Sequence, residues 1–252
     1  MMWLVLAIGC DLTEIVDQID GITNPLVTEA LVLGVAEPAD ERIDLSSIGY
    51  DPGANATVFL ANASNVNDLD NALVSGATVT ASDGPTSAEL PERENGVYVS
   101  NPGSGLDYVP GRTMTISAVL DDRSGSGALE LPEGAGLGIM EDHMVGEPIE
   151  VDVTGKGYTG SLIVVFDTTS GRVTYSNEPT DARGVYDLTR GTTELTMVTI
   201  PGKAFPDESV YALGFAGLVH TGSDDFEGLN TLLSGMVAGQ LEFYPVVTVP
   251  LP

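Results

Sequence analysis

Few side chains in this 252-residue sequence are equipped for chemistry, and their spacing decides how far each can go. His143 lies beside Glu141 and Asp142, and His220 ends an apolar run close to Asp224 and Asp225. General acid–base work needs a partner within hydrogen-bond reach, so two isolated histidines fit turn or solvated positions better than a catalytic or metal pair. Residues 155–160, GKGYTG, match the Gly-x-Gly-x-x-Gly pattern of dinucleotide sites. Such a site needs a helix N-terminus directly after the glycines, whereas the following SLIVVFD is continuous and β-branched; a hairpin is expected instead. No serine sits in Gly-x-Ser-x-Gly, which excludes a nucleophile elbow.

Carboxylates are the one plentiful reactive group. A glycosidase needs two of them at a set separation in a cleft, and neighbours such as Asp121-Asp122 or Asp224-Asp225 point apart on loops. The run Asn65–Asn71, NVNDLDN, offers oxygen ligands at Asn65, Asn67, Asp68 and Asp70, but Leu69 occupies its fifth position and its sixth is not glycine. A polar turn is therefore expected there. Asn67, Asp68, Asp70, Asp224 and Asp225 are the weak Ca²⁺ candidates; no other metal and no cofactor is expected.

The only cysteine, Cys10, closes the apolar run MMWLVLAIGC, which is too short for a bilayer that needs about 20 residues. With small Gly9 before the cysteine and Leu6 upstream, the run resembles the lipobox of bacterial lipoproteins. The resemblance implies cleavage before Cys10, lipidation of Cys10, and residence in the bacterial cell envelope, periplasmic or on the outer surface. Several acyl chains, at about 0.8 kcal/mol per buried CH₂, make such an anchor stable. The other reading of the same residues is a clipped hydrophobic terminus with a free thiol at Cys10. In either case the chain beyond Cys10 has no thiol, so disulfides and cysteine metal sites are excluded.

Charge narrows the partners. Against 37 Asp and Glu stand 9 Lys and Arg, two of them lysines, for a formal net charge of −28. That surface repels phosphate backbones and anionic lipid head groups, so nucleic acid is excluded and any membrane attachment falls to the lipid. A solvated acidic shell is the favoured reading, ahead of collective Ca²⁺ binding. Sugar-binding sandwiches stack their ligands on exposed aromatics, and the only tryptophan, Trp3, precedes the cleavage position, which disfavours carbohydrate.

The elements that must position these residues are short β-type runs. After an acidic segment of residues 11–25, the runs LVTEALVLGV, ATVFLA, ATVTAS, GVYVS, TMTISAVL and GALEL are separated by Gly, Pro, Asn and Asp. Met114, Ile116 and Ala118 share one face, Asn95-Gly96 supplies a tight turn, and Pro110-Gly111 launches the next strand. Residues 74–116, with VSGATVTASDG, ENGVYVS and YVPGRTMTI, resemble the carboxypeptidase-regulatory-like and immunoglobulin-like modules of bacterial surface lipoproteins. The resemblance implies a sandwich and carries no activity.

A second set follows: PIEVDVTG, SLIVVFD, GRVTYS, ELTMVTI, VYALGFAGLV and QLEFYPVVTV. There the run from Asp207 to Leu213 resembles the tyrosine corner that enters strand F of immunoglobulin domains, with Tyr211 as its tyrosine and Leu213 at the core position. Residues 224–239 are expected as a short helix or a crossing loop, with Leu229, Leu232, Leu233 and Met236 on one face.

The expected fold class is thus all-β, two tandem immunoglobulin-like antiparallel sandwiches. The expected divisions are a signal remnant 1–9, a lipidated Cys10 and acidic tether 10–25, a first sandwich 26–132, a linker 133–147 and a second sandwich 148–252. The functional expectation is a non-enzymatic, membrane-anchored envelope lipoprotein, a binding or scaffold module for an unidentified protein partner. Two alternatives stand beside it: an envelope hydrolase using acidic residues, and a structural subunit that assembles through sheet edges.

Overall fold

The structure, a computed structural model, describes residues 26–48, 52–62, 73–101, 103–177, 193–221, 226–228 and 231–250. Its first half holds strands Leu26–Val35 (β1), Gly53–Asn62 (β2), Thr78–Ser82 (β3), Ser87–Leu90 (β4), Glu92–Glu94 (β5), Val97–Val99 (β6), Thr113–Leu120 (β7) and Arg123–Glu130 (β8), with one short helix, Leu45–Ile48 (α1). Its second half holds Met140–Met144 (β9), Ile149–Asp152 (β10), Gly160–Asp167 (β11), Val173–Ser176 (β12), Met197–Ile200 (β13), Val210–His220 (β14), Phe226–Gly228 (β15) and Thr231–Val249 (β16). The fold is all-β.

Alternation of side chains builds the first core. In β7 the residues Met114, Ile116 and Ala118 are fully buried, Thr115 and Ser117 between them are half-buried, and the flanking Thr113 and Val119 face out, as a period of two requires. They belong to the sheet β15-β8-β7-β3-β4, which packs on the β16-β1-β2-β6-β5 part of a nine-stranded sheet. Gly96, at φ 71°, makes the turn between β5 and β6 as Asn95-Gly96 predicted. Tyr98 is buried between Val97 and Val99, its hydroxyl accepting from the Ala77 N–H at 3.0 Å and donating to the Val74 carbonyl at 3.2 Å.

The second core lies between β10-β13 and the strands β9, β16, β14, β11 and β12 of the same large sheet. Strand β16 serves both cores. On its even face Met236 and Ala238 enter the first, and Tyr244 and Val246 enter the second. On its odd face Val237, Leu241 and Phe243 join Leu162, Val164, Phe166, Val35, Ile43 and Leu45 in a third cluster on the reverse of the sheet.

Three expectations about individual strands differ from the structure. Residues 231–239 are strand, not helix or loop: Gly235 and Gly239 leave room for Glu29, His220 and Leu218 on the neighbouring strands, which a leucine count at helical spacing does not register. The glycines of GKGYTG do not close a hairpin, since β10 pairs with β13 and β11 with β14 and β12; the segment crosses from one sheet to the other. Two pairings are parallel in a fold expected to be antiparallel, β1 with β16 and β16 with β9. Parallel neighbours need a long connection, and β1 and β16 come from opposite ends of the described chain.

Residues 133–147, expected as a linker, are seated on the second core through Ala135, Leu137 and Met140 and contain β9. Cutting this segment at exposed Ile139 is expected to leave two fragments that separate in denaturant yet co-elute in native size exclusion. Ten residue pairs between β1 and β16 hold them together. Fragments that elute apart would contradict the shared sheet.

Candidate functional site

At one end of the second sandwich three loops converge, residues 144–148, 167–172 and 201–209. Register brings them together: Met144 pairs with Val249, Val210 with Val247, and Asp167 with Tyr211, which pairs with Val246. The tyrosine corner read in the sequence is present. Tyr211 is fully buried, and its hydroxyl donates to the Asp207 carbonyl and accepts from the Asp207 N–H, both at 3.1 Å.

Polar bonds then tie loop to loop. The nearly buried Thr248 hydroxyl donates to the Asp207 carbonyl and accepts from the Ser209 N–H, each at 2.8 Å. Asp167 accepts from the Thr169 N–H at 2.8 Å, the Ser170 N–H at 3.1 Å and the Ser209 hydroxyl at 3.2 Å. Burial opposes its ionisation, but these donors outweigh it and hold its pKa below the usual carboxylate value. The Gly146 N–H donates to the Phe205 carbonyl at 2.9 Å, and a Cβ on Gly202 would overlap the Gly146 carbonyl. His143 stacks edge-on to Phe205 at 5.2 Å, with Nε2 2.9 Å from the Glu147 carbonyl; because a carbonyl only accepts, Nε2 carries the proton.

Thr169, Ser170, Arg172, Lys203, Pro206 and Glu208 remain exposed on this braced frame. The result is a surface of both charge signs on a fixed backbone. A surface ordered in advance loses less entropy on binding.

A second set of contacts fixes the junction between the cores. The ring of Tyr108 lies on Gly34 and its hydroxyl donates to the Pro132 carbonyl at 3.0 Å. The ring of Tyr158 lies on Gly217 and its hydroxyl donates to the Glu133 carbonyl at 2.8 Å. Two successive carbonyls are thus held from the two sandwiches. Glu242, where β16 passes from one core to the other, accepts from the Gly136 N–H at 3.0 Å and from the Tyr244 hydroxyl. Gly134 packs against the Glu242 carboxylate, leaving no room for a Cβ. Burial, with the Glu242 charge second, pushes the Tyr158 pKa up to about 12.

Cys10, Asn67, Asp68, Asp70, Asp224 and Asp225, the residues singled out in the sequence, lie outside the described residues. Among the described residues there is no group of three or more His, Cys, Asp or Glu placed to hold a metal ion. His143 and His220 are not brought together: the first braces the loop end, and the second lies across Gly235 from Glu29. A Cβ on that glycine would stand 2.9 Å from His220 Nε2 and 3.0 Å from Glu29 Oε2. The loop end itself was not singled out from sequence. Its one legible sign was the spacing from Asp207 to Leu213.

No protein-family model matches the chain, and no curated protein matches its sequence. Among solved structures, it is similar to the FN1-FN3 domains of chicken CNTN1, at 11% identity over 89% of this chain and 68% of that one, with a TM-score of 0.21. It is also similar to a chimeric titin Z1Z2-Z1Z2 tandem functionalized with a GRGDS exogenous peptide from fibronectin, at 12% identity over 77% of this chain and 90% of that one, with a TM-score of 0.17.

Proposed function

We propose that this protein is a non-enzymatic lipoprotein of the bacterial cell envelope, anchored through Cys10, whose β-sandwich body serves as a binding or scaffold module for a protein partner. The observation that carries the reading is the braced loop end of the second sandwich, which spends its polar groups on holding loops still. Carboxylate chemistry points the same way. A general acid needs a raised pKa, whereas Asp40, Asp83, Glu92, Asp152 and Asp167 are all held below the usual carboxylate value, so none of these five suits that role. Charges on the edge strands, Glu92, Arg93 and Glu94 on β5 and Glu141 and Asp142 on β9, weigh against assembly through sheet edges.

The test combines fractionation with photo-crosslinking in the producing cell. Wild type is expected in the membrane fraction and Cys10→Ala in the soluble one. A photo-reactive residue at Thr169 or Glu208 is expected to give a discrete protein adduct, and one at exposed Val119 on the first sandwich is not. Wild type found soluble would remove the anchor; adducts of equal yield from all three positions would remove the loop end as the binding surface.

A further inference from the structure

We infer that the protein stands end-on to the membrane, its first sandwich proximal and the loop end of the second sandwich turned away from the bilayer; this rests on the lipidation of Cys10 proposed above. Strand direction carries the inference. Fifteen residues separate Cys10 from Leu26, where β1 begins. However those residues run, the chain from Cys10 to Leu26 reaches at most about 55 Å. Strand β1 runs parallel to β16, Leu26 pairing with Thr231, so the anchored end lies beside the start of β16. Strand β16 continues for 19 residues, about 60 Å at the usual rise per residue. The three loops gather at its far end, beside Val246–Val249.

Had β1 run antiparallel along the same stretch of β16, the anchored end would have fallen beside Leu241, midway along the strand and much nearer those loops. Charge favours the upright posture as well. A body of net charge −28 is repelled by anionic head groups, which opposes its lying flat against them; exposed Glu94 lies at the tethered end, where it pairs with Val97 and Val97 with Phe59, the partner of Glu29 near the start of β1. The junction tyrosines keep the two sandwiches in line, so the posture of the first is passed to the second.

The experiment uses full-length lipidated protein in vesicles of phosphatidylcholine and phosphatidylglycerol that carry an acceptor dye on the lipid head group. Since Cys10 is the only cysteine and its sulfur is taken by lipid, a donor dye can be placed uniquely at Glu94→Cys or Thr169→Cys, both exposed positions. Energy transfer to the membrane is expected to be several-fold greater from position 94 than from position 169. Equal transfer, as for a body lying flat, or the reverse order would overturn the end-on posture. Flotation of the same vesicles keeps the two ideas apart: protein that floats with equal transfer retains the anchor and loses the posture, and protein that stays at the bottom of the gradient loses both.

Discussion

Gly217→Ala is expected to destabilise the protein by about 3 kcal/mol, the upper part of the overpacking range, because the added methyl group falls within the ring of Tyr158. That ring has no easy retreat. It is 2% exposed, and its hydroxyl is committed to the Glu133 carbonyl at 2.8 Å. Tyr158→Ala alone should cost about 3–5 kcal/mol, as large aromatic truncations in cores do. The double variant decides whether the glycine is there for the ring. With the ring gone, the alanine methyl enters space already vacated, so the pair should cost little more than Tyr158→Ala alone. Urea denaturation of the four proteins measures the coupling, and strictly additive costs would refute the ring-on-glycine account.

The same tyrosines predict a loss of stability in alkali. Tyr158 titrates near the ordinary 10 when unfolded and near 12 when folded, and burial raises Tyr108 and Tyr244 as well. A group whose pKa is raised by folding contributes fully below its unfolded pKa and loses that contribution as pH rises through the folded one. Stability should therefore decline from about pH 10 upward.

Asp83→Ala is expected to cost about 3 kcal/mol, by the reasoning that removes one side of a buried charged cluster. Asp83 is fully buried. Its carboxylate accepts from the Thr86 N–H at 2.8 Å, the Asp107 N–H at 2.9 Å and Arg112 at 3.3 Å, joining the β3–β4 turn to the segment that leads into β7. Alanine leaves all three donors without this acceptor. Burial disfavours the ionised form, but the two N–H groups and the Arg112 charge prevail and hold the pKa below its ordinary value. A carboxylate lowered in this way contributes above its unfolded pKa of about 3.9, and the contribution fades as pH falls through the folded value. The stability gap between wild type and Asp83→Ala should accordingly be constant near neutral pH and shrink in acid. Thermal melts across that range check it; a gap that widens in acid would contradict the assignment.

Local pattern was sufficient for much of the fold. The alternation of TMTISAVL placed Met114, Ile116 and Ala118 in a core without reference to any partner strand, because successive side chains of a strand must point to opposite faces. Asn95-Gly96 marked its turn through the positive φ that glycine tolerates, and the spacing from Asp207 to Tyr211 located a hydroxyl that closes back on its own backbone. Such features are complete within a few residues. Charge, the single cysteine and the lack of a nucleophile motif were likewise properties of the string, and they restricted the classes of function before any strand was placed.

What no local pattern contains is which strand lies beside which. The run at 231–239 carries two glycines that lower its strand character, and only Glu29, His220 and Leu218 on neighbouring strands explain why those positions are empty of side chains. The parallel pairing of β1 with β16 joins the two ends of the described chain, and from it follow the single sheet through both sandwiches and the direction in which the loop end points. The loop end is likewise a product of register: residues 144–148, 167–172 and 201–209 become one surface because β9 and β14 pair with the same stretch of β16 and β11 pairs with β14. Sequence therefore determined the elements and their buried faces, where nearest neighbours supply the energy. Tertiary structure decided which loops form one surface, because that surface exists only after distant strands have hydrogen-bonded in one register.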